Sequence, residues 1–393
     1  MNTAPTSQML TNGAQILDAE VGADDWIGLG LWCRAGSRFE HRGEAGWAHL
    51  LEHLWFRGGL SHDAATVDRV CDRLGGWVNA HTDRELVGIW GLAPRRAADT
   101  LTALLLDIFL TPAFTDEDVA RERGLVSDEL AGSLQDPGAV AVDRALACSW
   151  PGSALAEPIA GLADDLQRAD AAALHDWHRD HMVGQATLAT RLGKWPDREK
   201  QHINDALSSL PSGTPPSPTP PPEPAQPRYE RCSSQQAILV WAAPAPGYAE
   251  PGYYASALAT QALGGGLGAR LPARLRRETG LVYDISARME TTLDASATVV
   301  QALTSQAQRT TAIVEDLLAS LTKDGLPPST LADALEGCHA REALRTARPV
   351  AVMRELAMQG FARRCPAHEE LGDAARWALS HGHWSRICQP AAF

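Results

Sequence analysis

Two histidines and a glutamate lie within five consecutive residues of the segment WAHLLEHLWFRGG, which begins at Trp47. On a helix, His49 and His53 are about one turn apart and project from the same face, and Glu52 falls on the same stripe. Two neutral imidazoles can hold a zinc ion, and a carboxylate that is not a ligand can take a proton from water activated there. The residue types and their spacing therefore fit a hydrolytic zinc site.

The order H-x-x-E-H is that of the inverted zinc-peptidase motif, but alone it fits equally well a helix with two histidines and a surface glutamate. A third ligand elsewhere in the sequence would favour the zinc site over the ordinary helix. A second helix is predicted over Thr115–Leu130, and one of its faces carries two valines and two glutamates, Val119, Glu122, Val126 and Glu129. Carboxylates between valines are unusual on a solvated face and are typical of a helix packed beside a metal.

The two glutamates of this face can take different roles. Glu129 can complete a site of two histidines and one glutamate with the fourth position open to water. Glu122, two turns earlier, can accept the free ring N–H of a ligand histidine and fix its tautomer. The alternative is that acidic residues near a helix start only complement the helix dipole, which suits Asp116, Glu117 and Asp118 better than Glu129.

The remaining elements divide the chain at one proline-rich segment. Nine of the seventeen residues from Pro211 to Pro227 are proline, which is typical of a semi-rigid spacer. We expect an N-terminal zinc-binding domain over residues 1–210, a linker over 211–227 and a C-terminal domain over 228–393.

Both halves begin with a strand that is followed by a helix. The patterns predict a strand at Trp26–Cys33 and a helix over 43–56, then a strand at Ala237–Ala242 and a helix at Tyr253–Leu263. Strands and helices alternate in a similar order in the two halves. The sequence therefore predicts an α+β fold of two related units, each a mostly antiparallel sheet backed by helices.

These motifs resemble the pitrilysin/insulinase family of zinc metallopeptidases, especially its processing-peptidase-like branch. The resemblance begins at GLGLWCRAGSRFEHRGEAGWAHLLEHLWFRGG, includes the 76-residue step from His53 to Glu129 with its Glu122–Arg123 pair, and runs over most of the chain. It implies the metallohydrolase fold of the processing peptidases and one Zn²⁺ per chain. It also implies the roles of five residues: His49, His53 and Glu129 as zinc ligands, Glu52 as general base and Glu122 as the partner of a ligand histidine.

Two further segments resemble parts of the same family. GGWVNAHTDRE is similar to an edge strand that binds substrate, which implies that Asn79 and Ala80 contact a peptide added as an extra strand. LGGGLGARLPARLRRETGLVYDIS is similar to the C-terminal signature of the family. That resemblance implies that Arg276 and Tyr283 contact the substrate backbone and stabilise the developing oxyanion.

The resemblance also implies the reaction and the partners. It predicts a zinc-dependent endopeptidase that cleaves unfolded peptides or leader segments inside a chamber. Such a chamber is formed with a second peptidase-family subunit, either a copy of this chain or an inactive sister subunit. The alternatives are a non-catalytic or partner-dependent scaffold subunit and a zinc hydrolase of small molecules, and the presence of all four positions of the zinc motif argues against the scaffold.

Composition excludes other classes of function. The chain of 393 residues has a formal net charge of −13 and only three lysines, so neither a nucleic-acid surface nor a polybasic membrane segment is predicted. Seven scattered cysteines and the absence of a signal-like N-terminus favour a reduced, cytoplasmic location. A second histidine group, His175, His178 and His181, is spaced so that it could hold a metal, but it aligns with an ordinary helix-to-strand junction of the family, and the resemblance therefore implies a structural role.

Overall fold

The computed structural model describes residues 5–20, 25–216, 236–345 and 347–362. The chain folds into two compact units. The first unit contains the described residues up to Ala131, from Glu157 to 216 and from Leu344 onwards, and the second contains 132–156 and 236–343.

The strands of the described chain fall into one sheet for each unit. They are β1 (Thr6–Met9), β2 (Gln15–Ala19), β3 (Trp26–Cys33), β4 (Val78–Thr82), β5 (Val87–Pro94), β6 (Thr187–Leu192), β7 (Ala237–Ala245), β8 (Val282–Glu290) and β9 (Ser296–Thr304). The first unit has the strand order β1-β2-β6-β3-β5-β4, in which only β2 and β6 pair in parallel. The second unit has the antiparallel order β7-β9-β8.

Helices back both sheets. They are α1 (Trp47–Trp55), α2 (Ala64–Leu74), α3 (Ala98–Leu110), α4 (Asp116–Leu134), α5 (Pro137–Ser149), α6 (Ala163–Leu166), α7 (Ala171–His181), α8 (Asp197–Ser208), α9 (Tyr253–Gly264), α10 (Ala307–Asp324), α11 (Pro328–Arg345) and α12 (Pro349–Ala362). A π-helix spans Pro272–Glu278. The predicted α+β class, with a mostly antiparallel sheet in each unit, is confirmed.

The central strand β3 shows why its sequence forms a strand. All of its residues except Trp26 are buried, and it pairs with β5 on one side and β6 on the other. Leu29 and Leu31 belong to the main apolar core of the first unit, together with residues of α1, α3 and α4. A run of apolar residues without polar alternation is typical of a strand whose two faces are both buried.

The observed units differ from a simple cut at the proline-rich segment. Val142 and Leu146 of α5, and Trp150 directly after it, are buried against β9, so residues 132–156 belong to the second unit. Helix α12 packs on β2, β3 and β6, so the described residues from Leu344 to Ala362 belong to the first unit. The predicted boundaries at 210 and 228 therefore assign both of these segments to the wrong unit, because their positions depend on tertiary packing. Residues 217–227 of the predicted linker lie outside the described residues.

No helix in the described parts of the chain combines the length and the apolar composition needed to cross a bilayer.

The second histidine group makes local contacts. His178 Nε2 lies 2.8 Å from the carbonyl oxygen of Phe109, and His181 Nδ1 lies 2.8 Å from that of Trp177. The ring of His175 stacks on Phe114. Rings that donate to backbone carbonyls or pack on an aromatic ring fit the structural role predicted for this group.

The burial of His178 predicts a loss of stability in acid. Burial lowers the pKa of His178 to about 4. The unfolded chain takes up this proton near pH 6.5 and the folded chain does not, so the free energy of unfolding falls as the pH drops from about 6.5 to about 4. Between pH 7 and pH 4 we expect wild type to lose about 3 kcal/mol more than His178→Gln, measured by urea titration. Equal losses of unfolding free energy in the two proteins would contradict the lowered pKa of His178.

Candidate metal centre

The start of α1 is held by acidic residues from outside the helix. Gly46 and Ala48 donate their backbone N–H groups to the two carboxylate oxygens of Glu40, at 3.0 and 2.8 Å. The indole Nε1 of Trp47 donates to the carbonyl oxygen of Asp165 at 3.2 Å. The helix begins at Trp47, later than predicted, because Gly46 has a φ of 98° in the left-handed region, which only glycine adopts readily. These contacts fix where α1 begins.

The apolar residues of α1 fix how it is rotated. Leu50, Leu51, Leu54 and Trp55 are fully buried in the core of the first unit. The opposite stripe carries His49, Glu52 and His53, which are all half-buried. The two imidazole rings lie edge to face with centroids 4.9 Å apart. The amphipathic pattern therefore presents the three chemical side chains together, away from the core.

Helix α4 brings two carboxylates to this stripe. Its N-terminus is closed by reciprocal contacts of Thr115 and Asp118. Val119 and Val126 anchor its buried face. The Glu122 side chain is only 4% exposed, whereas that of Glu129, two turns further on, is 55% exposed. Residues 119, 122, 126 and 129 lie on one face, as predicted.

Three ligand atoms converge at this place. The carboxylate oxygen Oε2 of Glu129 lies 3.6 Å from His49 Nε2 and 3.8 Å from His53 Nε2. One ligand atom from each residue falls within 4.8 Å of the others. The 3.6 and 3.8 Å separations are long for hydrogen bonds but are close to the value of about 3.4 Å between ligand atoms bound tetrahedrally at ~2.1 Å from one zinc ion. Two imidazoles and one carboxylate are a donor set that suits zinc.

Glu122 orients one of the two imidazoles. Its Oε2 lies 3.2 Å from His53 Nδ1, while its Oε1 accepts hydrogen bonds from the guanidinium of Arg57, including one from Nε at 2.5 Å. A proton held on Nδ1 by this carboxylate leaves the lone pair of Nε2 free. Nε2 is the atom of His53 that faces Glu129. The contact therefore selects the tautomer that a metal ligand needs.

The surroundings of His49 favour its neutral form. Burial lowers the pKa of His49, and the neighbouring His53 acts in the same direction, while the negative charges of Glu52 and Glu129 oppose the shift. Its Nδ1 is buried and has no hydrogen-bond partner among the described residues. Glu52 is not one of the three converging residues, so it is available as a nearby carboxylate that is not a ligand.

Strand β4 forms one edge of the sheet in the first unit. It pairs with β5 on one side, and no other described strand pairs with its second side. On this strand Asn79 is exposed, and the next residue, Ala80, is buried. Helix α1 packs against β4 and β5. The predicted peptide-binding residues therefore lie on an open strand next to the helix that carries the histidines.

Arg276 and Tyr283 belong to the second unit. Arg276 is exposed in the π-helix, an element that is often found at functional sites. The side chain of Tyr283 is also exposed, with 73% relative exposure. The strand ladder passes from the pair Val282–Thr304 to the pair Asp284–Leu303, so Tyr283 forms a bulge on β8. A bulge turns a side chain out of the regular alternation.

Sequence reasoning missed three residues that support α1. Arg57 follows His53 by four residues, so its helical spacing was a usable signal. Glu40 and Asp165 carry no such signal, because the first acts across a turn and the second from more than a hundred residues away.

Comparisons with known proteins agree with this geometry. Residues 23–162 match the sequence pattern of the insulinase family (peptidase family M16), and residues 168–338 match that of the peptidase M16 inactive domain. An uncharacterized zinc protease of Mycobacterium leprae is 25% identical over 81% of this chain and 73% of its own length. One of Bacillus subtilis is 22% identical over 79% of this chain and 76% of its own length.

Solved structures show the same fold. A peptidase M16 inactive domain from Pseudomonas fluorescens superposes with a TM-score of 0.85 at 20% identity, covering 98% of this chain and 95% of that one. A protease from Helicobacter pylori gives a TM-score of 0.83 at 17% identity, covering 96% and 93%. Together the two matched domains cover most of the sequence, and the zinc-type motif lies in the first of them. The chain belongs to the insulinase family of peptidases, family M16.

Proposed function

We propose that this chain is a zinc-dependent endopeptidase that cleaves unfolded peptides or leader segments. The observation that carries the proposal is the convergence of His49 Nε2, His53 Nε2 and a Glu129 oxygen beside the unliganded carboxylate of Glu52. A scaffold subunit would not need this arrangement. The relatives are named as uncharacterized zinc proteases, which supports the same function.

The residues divide the chemistry between them. His49, His53 and Glu129 would hold the zinc ion, which would supply Lewis acidity and lower the pKa of a water molecule to near 7. Glu52 takes the proton of the attacking water and passes it to the leaving amine. Glu122 keeps the proton of His53 on Nδ1 throughout.

The substrate would bind as an extra β-strand along β4. An open strand edge offers backbone N–H and C=O groups to any extended peptide, whereas a folded protein presents few extended segments. Asn79 and Ala80 are the residues of this edge that we propose to contact the peptide. This mode of binding explains a preference for unfolded chains over folded proteins.

Arg276 and Tyr283 would stabilise the oxyanion of the tetrahedral intermediate, in this chain or in a partner. Their exposure and the bulge at Tyr283 support this role, because both side chains are free to meet a substrate. We further propose that two such chains, or this chain and an inactive sister subunit, enclose the reaction chamber.

The first test replaces the general base. In Glu52→Gln we expect about one zinc per chain, as in wild type, and cleavage of a quenched peptide slowed by roughly 10²–10⁴-fold. Zinc is measured by elemental analysis and turnover by fluorescence. Glu117→Gln, on the exposed start of α4, is the matched control and should cleave normally.

Two results would decide against parts of this proposal. Purified wild type without zinc would reject the metal centre, and full turnover by Glu52→Gln would reject the role of Glu52. Separately, cleavage that needs a second, different subunit would identify the partner as a sister subunit rather than a copy of this chain.

The second test removes the charge that orients His53. Glu122→Gln should bind zinc about 10–100-fold more weakly, because the amide is a poorer acceptor for the Nδ1 proton and leaves Arg57 without its counter-charge. Competition with a chelator measures the affinity, with Glu117→Gln as control. Unchanged affinity in Glu122→Gln would contradict the orienting role.

The third test concerns the oxyanion. Arg276→Ala and Tyr283→Phe should each lower kcat by roughly 10²–10³-fold with zinc content unchanged. Arg288→Gln, an exposed arginine of β8, serves as control. A rise in KM at constant kcat would show instead that the two side chains only bind the substrate.

A further inference from the structure

The second unit contains a cavity of about 640 Å³ that involves none of the candidate zinc ligands. Its walls come from the end of α9, the glycine-rich turn that follows it, the π-helix, α10 and α11. Arg341 of α11 donates hydrogen bonds to the Gln261 side chain and to the carbonyl oxygen of Gly265, so two of these walls are tied together. The volume lies within the range of small-molecule sites in proteins.

One wall of the cavity is basic. It carries Arg270, Arg274 and Arg277, of which Arg274 is paired with Glu278 at 2.9 Å. Arg270 is half-buried, and its Nε is a buried donor without a hydrogen-bond partner among the described residues. Because Nε is enclosed, a ligand would meet the terminal nitrogens of this guanidinium, which makes no ion pair with any described residue. A carboxylate matches the fork of a guanidinium best.

The helices α10 and α11 contribute the opposite charge. Asp316 of α10 and Asp333 of α11 line the same cavity. Both are exposed, and neither makes an ion pair within the described parts of the chain, so these two carboxylates do not neutralise Arg270 directly. A cavity that presents unpaired groups of both signs is complementary to a ligand that carries both.

We propose that this cavity binds a short peptide with free termini, its carboxylate on Arg270 and its ammonium group towards Asp316 and Asp333. A single amino acid has the same two charges, but a peptide of two or three residues matches the volume better. The proposal does not depend on the zinc chemistry, although a peptidase would produce such peptides.

Binding of trialanine to the zinc-loaded full-length chain tests the proposal. Glu52→Gln serves as the parent so that the peptide is not consumed, and calorimetry measures the affinity. We expect amidation of the peptide carboxylate to weaken binding by at least about tenfold. Arg270→Gln should weaken trialanine binding by a similar factor and abolish the effect of amidation. Arg309→Gln, an exposed arginine of α10 outside the cavity, should behave like the parent.

A second pair of measurements tests the other terminus without changing Arg270. The double variant Asp316→Asn/Asp333→Asn should bind trialanine more weakly than the parent, yet bind N-acetyl-trialanine as the parent does. The proposal is overturned if trialanine does not bind at about 10 mM, or if neither set of cavity variants changes its affinity. Binding that ignores these variants and disappears when zinc is removed would place the peptide at the zinc site instead.

Discussion

The buried carboxylate of Glu122 is the contact on which the candidate metal centre depends. A charged group that is almost fully buried is tolerated only when it is paired and hydrogen-bonded, and Arg57 supplies that pairing. The same carboxylate fixes the tautomer of His53. Because Glu122 and Glu129 lie two turns apart on α4, the packing that buries the first also places the second beside the histidines.

The supporting structure reaches far along the chain. Helix α12 covers the sheet of the first unit, and its Arg354 pairs with Asp83, the residue after β4, at 2.5 Å. Burial opposes ionisation of Asp83, yet Arg354 and His81 hold its pKa below the usual range. The strand edge proposed to bind substrate is therefore tied to a helix that follows it by more than 250 residues in sequence.

The sequence predicted what depends on local periodicity. The strand Trp26–Cys33, the face of α4 and the side of α1 that carries the histidines all follow from spacing, and the structure has each of them. Two features could not be predicted. They are the contacts of Glu40 and Asp165 at the start of α1, and the packing of α5 in the second unit and of α12 in the first. They depend on contacts between distant segments, which leave no repeating pattern in either segment. The cytoplasmic location and the second subunit remain predictions.

The proposed chemistry requires that His49, His53 and Glu129 hold one zinc ion. X-ray absorption at the zinc edge of the purified protein reports the ligands of that ion. We predict four nitrogen and oxygen neighbours at about 2.0–2.2 Å, with the outer scattering of two imidazoles, and the loss of one imidazole in His53→Ala. A sulfur neighbour at about 2.3 Å, or a spectrum that His53→Ala leaves unchanged, would contradict the claim.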